Sequence, residues 1–190
     1  MKSKYRNIKV FTSTIDSLKA EEIINLKKIT SKELYNYDDF KKIKDEVVHS
    51  PKNIFQEYSS ETHKVYKEIS KLLDEACKHY SIYKDRQYFF IKGKVFKYTE
   101  NHNNEVFDFP GGDVPVFHGF VVLGPENIEQ TYYAGTDKEQ FNFSKNTATL
   151  SAPTNLINTK VKDHCMTIEY YIAPLSSIGQ NDQGLWVPIL

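Results

Sequence analysis

Val114-Pro-Val-Phe-His-Gly-Phe-Val-Val-Leu123 is the stretch on which the fold turns. Phe109-Pro-Gly-Gly112 breaks the chain before it, and Gly124-Pro125 closes it. Apolar β-branched and aromatic side chains on both faces of a pleat need cover on both sides. The stretch therefore reads as a central strand with the other strands of the second half packed around it. Downstream, Gln130–Ala134, Gln140–Phe143, Thr147–Leu150 and Met166–Ala173 read as further strands, the last stopped by Pro174. The Pro153–Asn158 segment reads as polar connection. Upstream, Glu105–Phe109 is a short strand, and Gln87–Tyr98 is one or two strands with Gly93 as a turn or bulge.

The first half has a different period. Ile8–Ile15 alternates and begins with β-formers, so it is a first strand. Asp16 or Ser17 caps a short amphipathic helix carrying Leu18, Ile23, Ile24, Leu26 and Ile29. Residues 31–49 read as loop. Ser50-Pro51 supplies a cap and a first-turn proline. From there Ile54, Tyr58, Val65, Ile69, Leu72, Leu73, Ala76 and Tyr80 keep helical spacing. The narrow apolar stripe places this long helix on the outside of a sheet. Helices in 1–85 and short strands in 86–190 imply one α+β domain over 1–190. In it an antiparallel sandwich or jelly roll carries helices on one side.

Composition narrows the function classes. At 190 residues, 39% hydrophobic and 26% charged, the chain can bury a core. No apolar run reaches the ~20 residues of a membrane span. The basic start Met-Lys-Ser-Lys-Tyr-Arg has no apolar signal region after it, so a cytoplasmic location is expected. Cys77 and Cys165 are far apart and read as free thiols. Residues 1–100 hold 21 Lys+Arg against 15 Asp+Glu, and residues 101–190 hold 4 against 10. Arg6 and Arg86 are the only arginines, and the lysines alternate with acids, so a nucleic-acid surface is not expected. No HExxH, CxxC pair, GxSxG or phosphate-cradling glycine motif occurs.

Of six histidines, His49, His63 and His79 lie in or beside charged helical segments. His102 precedes a strand, His118 shares a strand face with Val114, Val116, Phe120 and Val122, and His164 leads into the last strong strand. A metal needs two or three such side chains to converge, usually with a carboxylate, and Asp108, Asp113 and Glu169 are available. His102, His118 and His164 are thus the candidate metal ligands. The alternative reading is a hydrogen-bonded core histidine and two loop histidines.

The order of elements resembles the 2-oxoglutarate- and iron(II)-dependent oxygenase superfamily, in particular its short prolyl-hydroxylase-like members. The resemblance runs from Ile8 to Pro174 and is carried by Val95–Asn104, Phe117–Pro125, Asn146–Pro153 and Met166–Pro174. It implies a double-stranded β-helix, with Fe(II) and 2-oxoglutarate as cofactors. The family's His-x-Asp/Glu pair falls on His102-Asn103-Asn104, with asparagine in the carboxylate position. Its distal histidine falls near Asn155 or Asn158, and its cosubstrate-binding arginine near Cys165, with Lys160 or Lys162 as substitute cations. Two expectations follow. One is a hydroxylase of a small molecule or peptide with an incomplete ligand set. The other is a non-catalytic jelly-roll protein that binds a small molecule or protein, or serves as structure. The apolar tail Gly184–Leu190 either joins copies of the chain into a homo-oligomer or covers its own sheet edge.

Overall fold

A computed structural model describes residues 8–23, 53–80, 87–99, 117–134, 136–152, 156–174 and 186–190. Its strands are β1 (Val10–Thr14), β2 (Tyr88–Thr99), β3 (Phe117–Pro125), β4 (Ile128–Ala134), β5 (Asp137–Phe143), β6 (Thr147–Ser151), β7 (Leu156–Val161), β8 (His164–Pro174) and β9 (Val187–Ile189). One long helix, α1 (Ser60–Tyr80), precedes β2. Six strands form a sheet in the order β1-β6-β3-β8-β2-β9, and three form a second in the order β5-β4-β7. Every pairing is antiparallel. This is the expected jelly roll, a double-stranded β-helix with helical support on one side. None of the described helices is long and apolar enough to cross a membrane.

β3 sits where its composition demands, between β6 and β8, with every residue from Phe117 to Gly124 buried. Its two faces serve two cores. Phe117, Val121 and Leu123 pack with Val65, Ile69, Leu72, Leu73 and Ala76 of α1. Phe120 and Val122 pack with Ile128 and Tyr132 of β4 and with Ile157 and Val161 of β7. The part of the stripe from Val65 to Tyr80 is the buried face of α1, whereas Tyr58, read as part of it, precedes the helix and is exposed.

The helix begins later than expected. Ser59 Oγ accepts from Thr62 N at 3.0 Å, and Thr62 Oγ1 accepts from Ser59 N at 2.8 Å. This reciprocal pair closes the free N–H groups of the first turn at Ser59. Before it, residues Ile54–Gln56 make a 3-10 turn capped by Asn53. Ser50-Pro51, the loop at 31–49 and the strand at 105–109 lie outside the described residues. Residues 20–23 are helical, as expected of the segment after Asp16.

Two further readings are corrected. Gly93 is neither a turn nor a bulge; the register shift of β2 falls between Phe90 and Lys92. A Cβ on Gly93 would lie 2.6 Å from the Phe55 ring and 2.7 Å from Asn53 Oδ1, so glycine is needed there for close packing. The segment after Pro153 contains a strand, β7, whose Ile157, Thr159 and Val161 are buried while Lys160 faces out.

Glu61 ties α1 to the end of the first strand segment. Its carboxylate is buried, accepting from Lys19 N at 2.6 Å and from Lys64 Nζ at 2.8 Å. Burial pushes its pKa up, but the hydrogen bonds from Lys64 and Lys19 outweigh this and hold it below the usual 4.5. A lowered folded-state value means stability that is present above the ordinary carboxylate range and lost as pH falls through the folded value. Glu61→Gln is therefore expected to be less stable than the parent at neutral pH, with the gap closing in acid. Urea midpoints across the acid range test this, and a gap independent of pH would refute it.

Candidate functional site

The space between the two sheets is the place this fold offers for chemistry. Strand alternation aims His118 of β3, Thr149 and Ser151 of β6, Gln130 and Tyr132 of β4, Thr159 of β7, and Thr167, Glu169 and Tyr171 of β8 into it. All nine are buried. The polar groups bond to one another. Tyr132 Oη donates to Gln130 Oε1 at 2.8 Å, and Gln130 Nε2 donates to Thr159 Oγ1 at 3.4 Å. Ser151 Oγ lies 3.4 Å from His118 Nδ1, and Phe120 N donates to Thr149 Oγ1 at 3.1 Å. Tyr171 stacks on His118 with ring centres 5.9 Å apart.

Burial sets the electrostatics. It pushes the His118 imidazole down to about 3, so the ring is neutral at physiological pH. Burial raises the Tyr132 phenol, and burial together with the Glu169 charge raises Tyr171, so both keep their protons. Thr167 Oγ1 is buried with no hydrogen-bond partner among the described residues.

Of the predicted metal ligands, His118 and His164 lie too far apart to share an ion. His118 stands opposite Tyr171, seven residues along β8 from His164. At ~3.3 Å per residue that is roughly 23 Å, so one ion cannot touch both. His164 sits at the surface end of β8 against Asp163 Oδ2 at 3.0 Å. Its register partner is Thr99. His102, Asp108 and Asp113 lie outside the described residues. Among the described residues no group of three or more His, Cys, Asp or Glu is placed to hold a metal.

The implied cosubstrate site fares similarly. 2-Oxoglutarate is a dianion, and a buried dianion without a cation costs several kcal/mol. Lys160 is exposed and pairs with Glu129 at 3.6 Å on the outer face, and Lys162 is exposed in the β7–β8 turn. Asn158 also faces out, donating to Tyr133 Oη at 3.3 Å. Cys165 is a buried thiol that donates to the Glu126 carbonyl, and burial pushes it up to about 11. Lys94 is the register partner of Glu169 on β2. Among the described residues, no set of side chains facing the inter-sheet space is placed to hold Fe(II).

Sequence reasoning found His118 and its strand face, and counted Glu169 among the carboxylates. It missed Gln130 and Thr159. Their signal was present in the alternation Ile128-x-Gln130-x-Tyr132, but polar residues on an inward face look like outward ones until the opposite sheet is known.

No protein-family model and no curated protein matches the sequence. Solved structures match it in fold. The non-heme alpha ketoglutarate dependent epimerase SnoN from nogalamycin biosynthesis aligns over 96% of this chain and 88% of its own, at 10% identity and a TM-score of 0.56. The non-heme monooxygenase ThoJ, as its nickel complex, aligns over 97% and 82%, at 12% identity and 0.51. A 2OG-Fe(II) oxygenase family oxidoreductase from Burkholderia pseudomallei aligns over 64% of this chain at 9% identity and 0.49; the chain spans 61% of its length. The likeness to SnoN and ThoJ is one of fold.

Proposed function

We propose that this chain is a jelly-roll binding or structural protein on the oxygenase fold, without that fold's iron chemistry. The observation that carries the reading is the pair of uncharged hydrogen-bonded groups between the sheets, Tyr132–Gln130–Thr159 and Ser151–His118. Hydroxyl, amide and neutral imidazole groups suit an uncharged polar ligand or a polar core, and they give a dianion no compensating charge. The exposure of Lys160 and Lys162 supports the same conclusion. A second reading, 2-oxoglutarate-dependent hydroxylation of a small molecule or peptide, is favoured by the fold likeness to SnoN over 96% of the chain.

Anaerobic titration with Fe(II) and 2-oxoglutarate separates the two. The expected outcome is no charge-transfer absorption from an iron–2-oxoglutarate complex and no succinate formed on admitting oxygen. A stoichiometric chromophore that disappears in His102→Ala would overturn the proposal and establish the second reading.

A further inference from the structure

We propose that Trp186–Leu190 is a detachable strap over one end of the inter-sheet site, latched by Tyr66. This rests on reading the cluster around His118 as the ligand site. The strap is held on two sides. β9 pairs with only Tyr88, Phe89 and Phe90 of the 12-residue strand β2. From α1, Tyr66 Oη donates to the Pro188 carbonyl at 2.9 Å and accepts from Leu190 N at 2.7 Å, while Ser70 Oγ donates to the Leu190 carbonyl at 3.2 Å.

Its position relative to the site comes from Trp186. That ring packs against Ile91, Tyr171 and Ala173, and Tyr171 stacks on His118. A single aromatic layer thus separates the strap from the buried imidazole. The strap's own residues are half-buried or exposed, with Leu190 at 94% exposure, whereas the neighbouring Tyr88, Phe90 and Ala173 are buried. A three-residue strand with solvent-facing hydrogen bonds opens at far lower free energy than the sheet that carries it. Opening would bare the Tyr171 face and admit a ligand without unfolding either sheet.

Tyr66→Phe removes the latch hydroxyl and keeps the ring, which stacks on His63. Trp186 is the only tryptophan in the chain, so its fluorescence reports the strap directly. The variant is expected to keep the parental melting temperature within a few degrees. Amide exchange at Val187 and Ile189 should run roughly tenfold faster, as loss of about two weak hydrogen bonds implies, while β3 stays unchanged. Acrylamide should quench Trp186 about twofold more efficiently, and carbethoxylation of His118, followed by mass spectrometry, should accelerate in step. If Val187 and Ile189 exchange only as fast as β3 in both proteins, the strap is a fixed part of the sheet and the proposal fails. If the strap opens with no change at His118, it covers an edge and gates nothing, which also overturns it. Should the Fe(II) titration reveal an iron site, the ligand reading falls while the strap result stands.

Discussion

Gly119→Ala is expected to cost at least ~3 kcal/mol, because this position leaves the tightest fit for an added methyl among the described glycines. A Cβ at this position would lie 1.9 Å from the Thr149 carbonyl oxygen and 2.5 Å from Tyr170 Oη. Neither neighbour can yield. The carbonyl belongs to β6, which is paired on one side with β1 and on the other with β3. Tyr170 is fully buried and donates its hydroxyl to that same carbonyl, so moving the ring breaks the bond and leaves two buried polar atoms unmatched. For a chain of this size the loss corresponds to a fall in melting temperature of roughly 6–12 °C. Calorimetry checks it. A fall of only a degree or two would mean that β6 slides away from β3 at little cost, contrary to the packing described.

The second large effect is at Phe90. Phe90→Ala is expected to cost ~3–5 kcal/mol, the range for emptying a fully buried aromatic site. Its ring stacks on Phe55 at 3.9 Å and meets Tyr66 at 5.7 Å and Tyr170 at 5.9 Å. It therefore joins the 3-10 turn, α1, β2 and β8 in one cluster. The neighbouring Phe89 is the control, because the pleat turns it to the opposite face, where it is half-buried against Trp186. Phe89→Ala should cost about 1 kcal/mol or less. Urea denaturation of the two variants side by side tests the contrast, and equal losses would refute the assignment of faces.

Much of this architecture was legible in the residues, because periodicity is a local property. The run Phe117–Leu123 carries apolar side chains on both faces, and β3 is buried on both. The stripe from Val65 to Tyr80 keeps helical spacing, and α1 buries it. What failed was equally local in cause. Ser50-Pro51 offers a good cap, yet the Ser59–Thr62 pair starts the helix, and two competing caps cannot be ranked without tertiary contacts. β7 was hidden because Asn158 and Thr159 have the composition of a loop. Its pairing with β4, from Tyr133↔Leu156 to Ile128↔Val161, overrides that preference. The candidate site was the least legible part. Its members come from β3, β4, β6, β7 and β8, and no spacing within one strand announces that Tyr132 will meet Gln130 and Thr159 in a closed interior.

The pairing of β1 with β6 also sets a schedule for the chain. Val10 is matched with Ser151, so β1 has no sheet partner until β6 is made, about 140 residues later. At a ribosomal pace of ~5–20 residues per second, that wait is on the order of ten seconds. What β1 can meet earlier is α1: Ser13 Oγ donates to Glu68 at 2.9 Å, and Phe11 packs edge-on against Tyr80. The helix thus supplies a holding surface for an otherwise bare strand during synthesis. Closure of the large sheet is then a late, long-range event of the kind that makes antiparallel β proteins slow to fold.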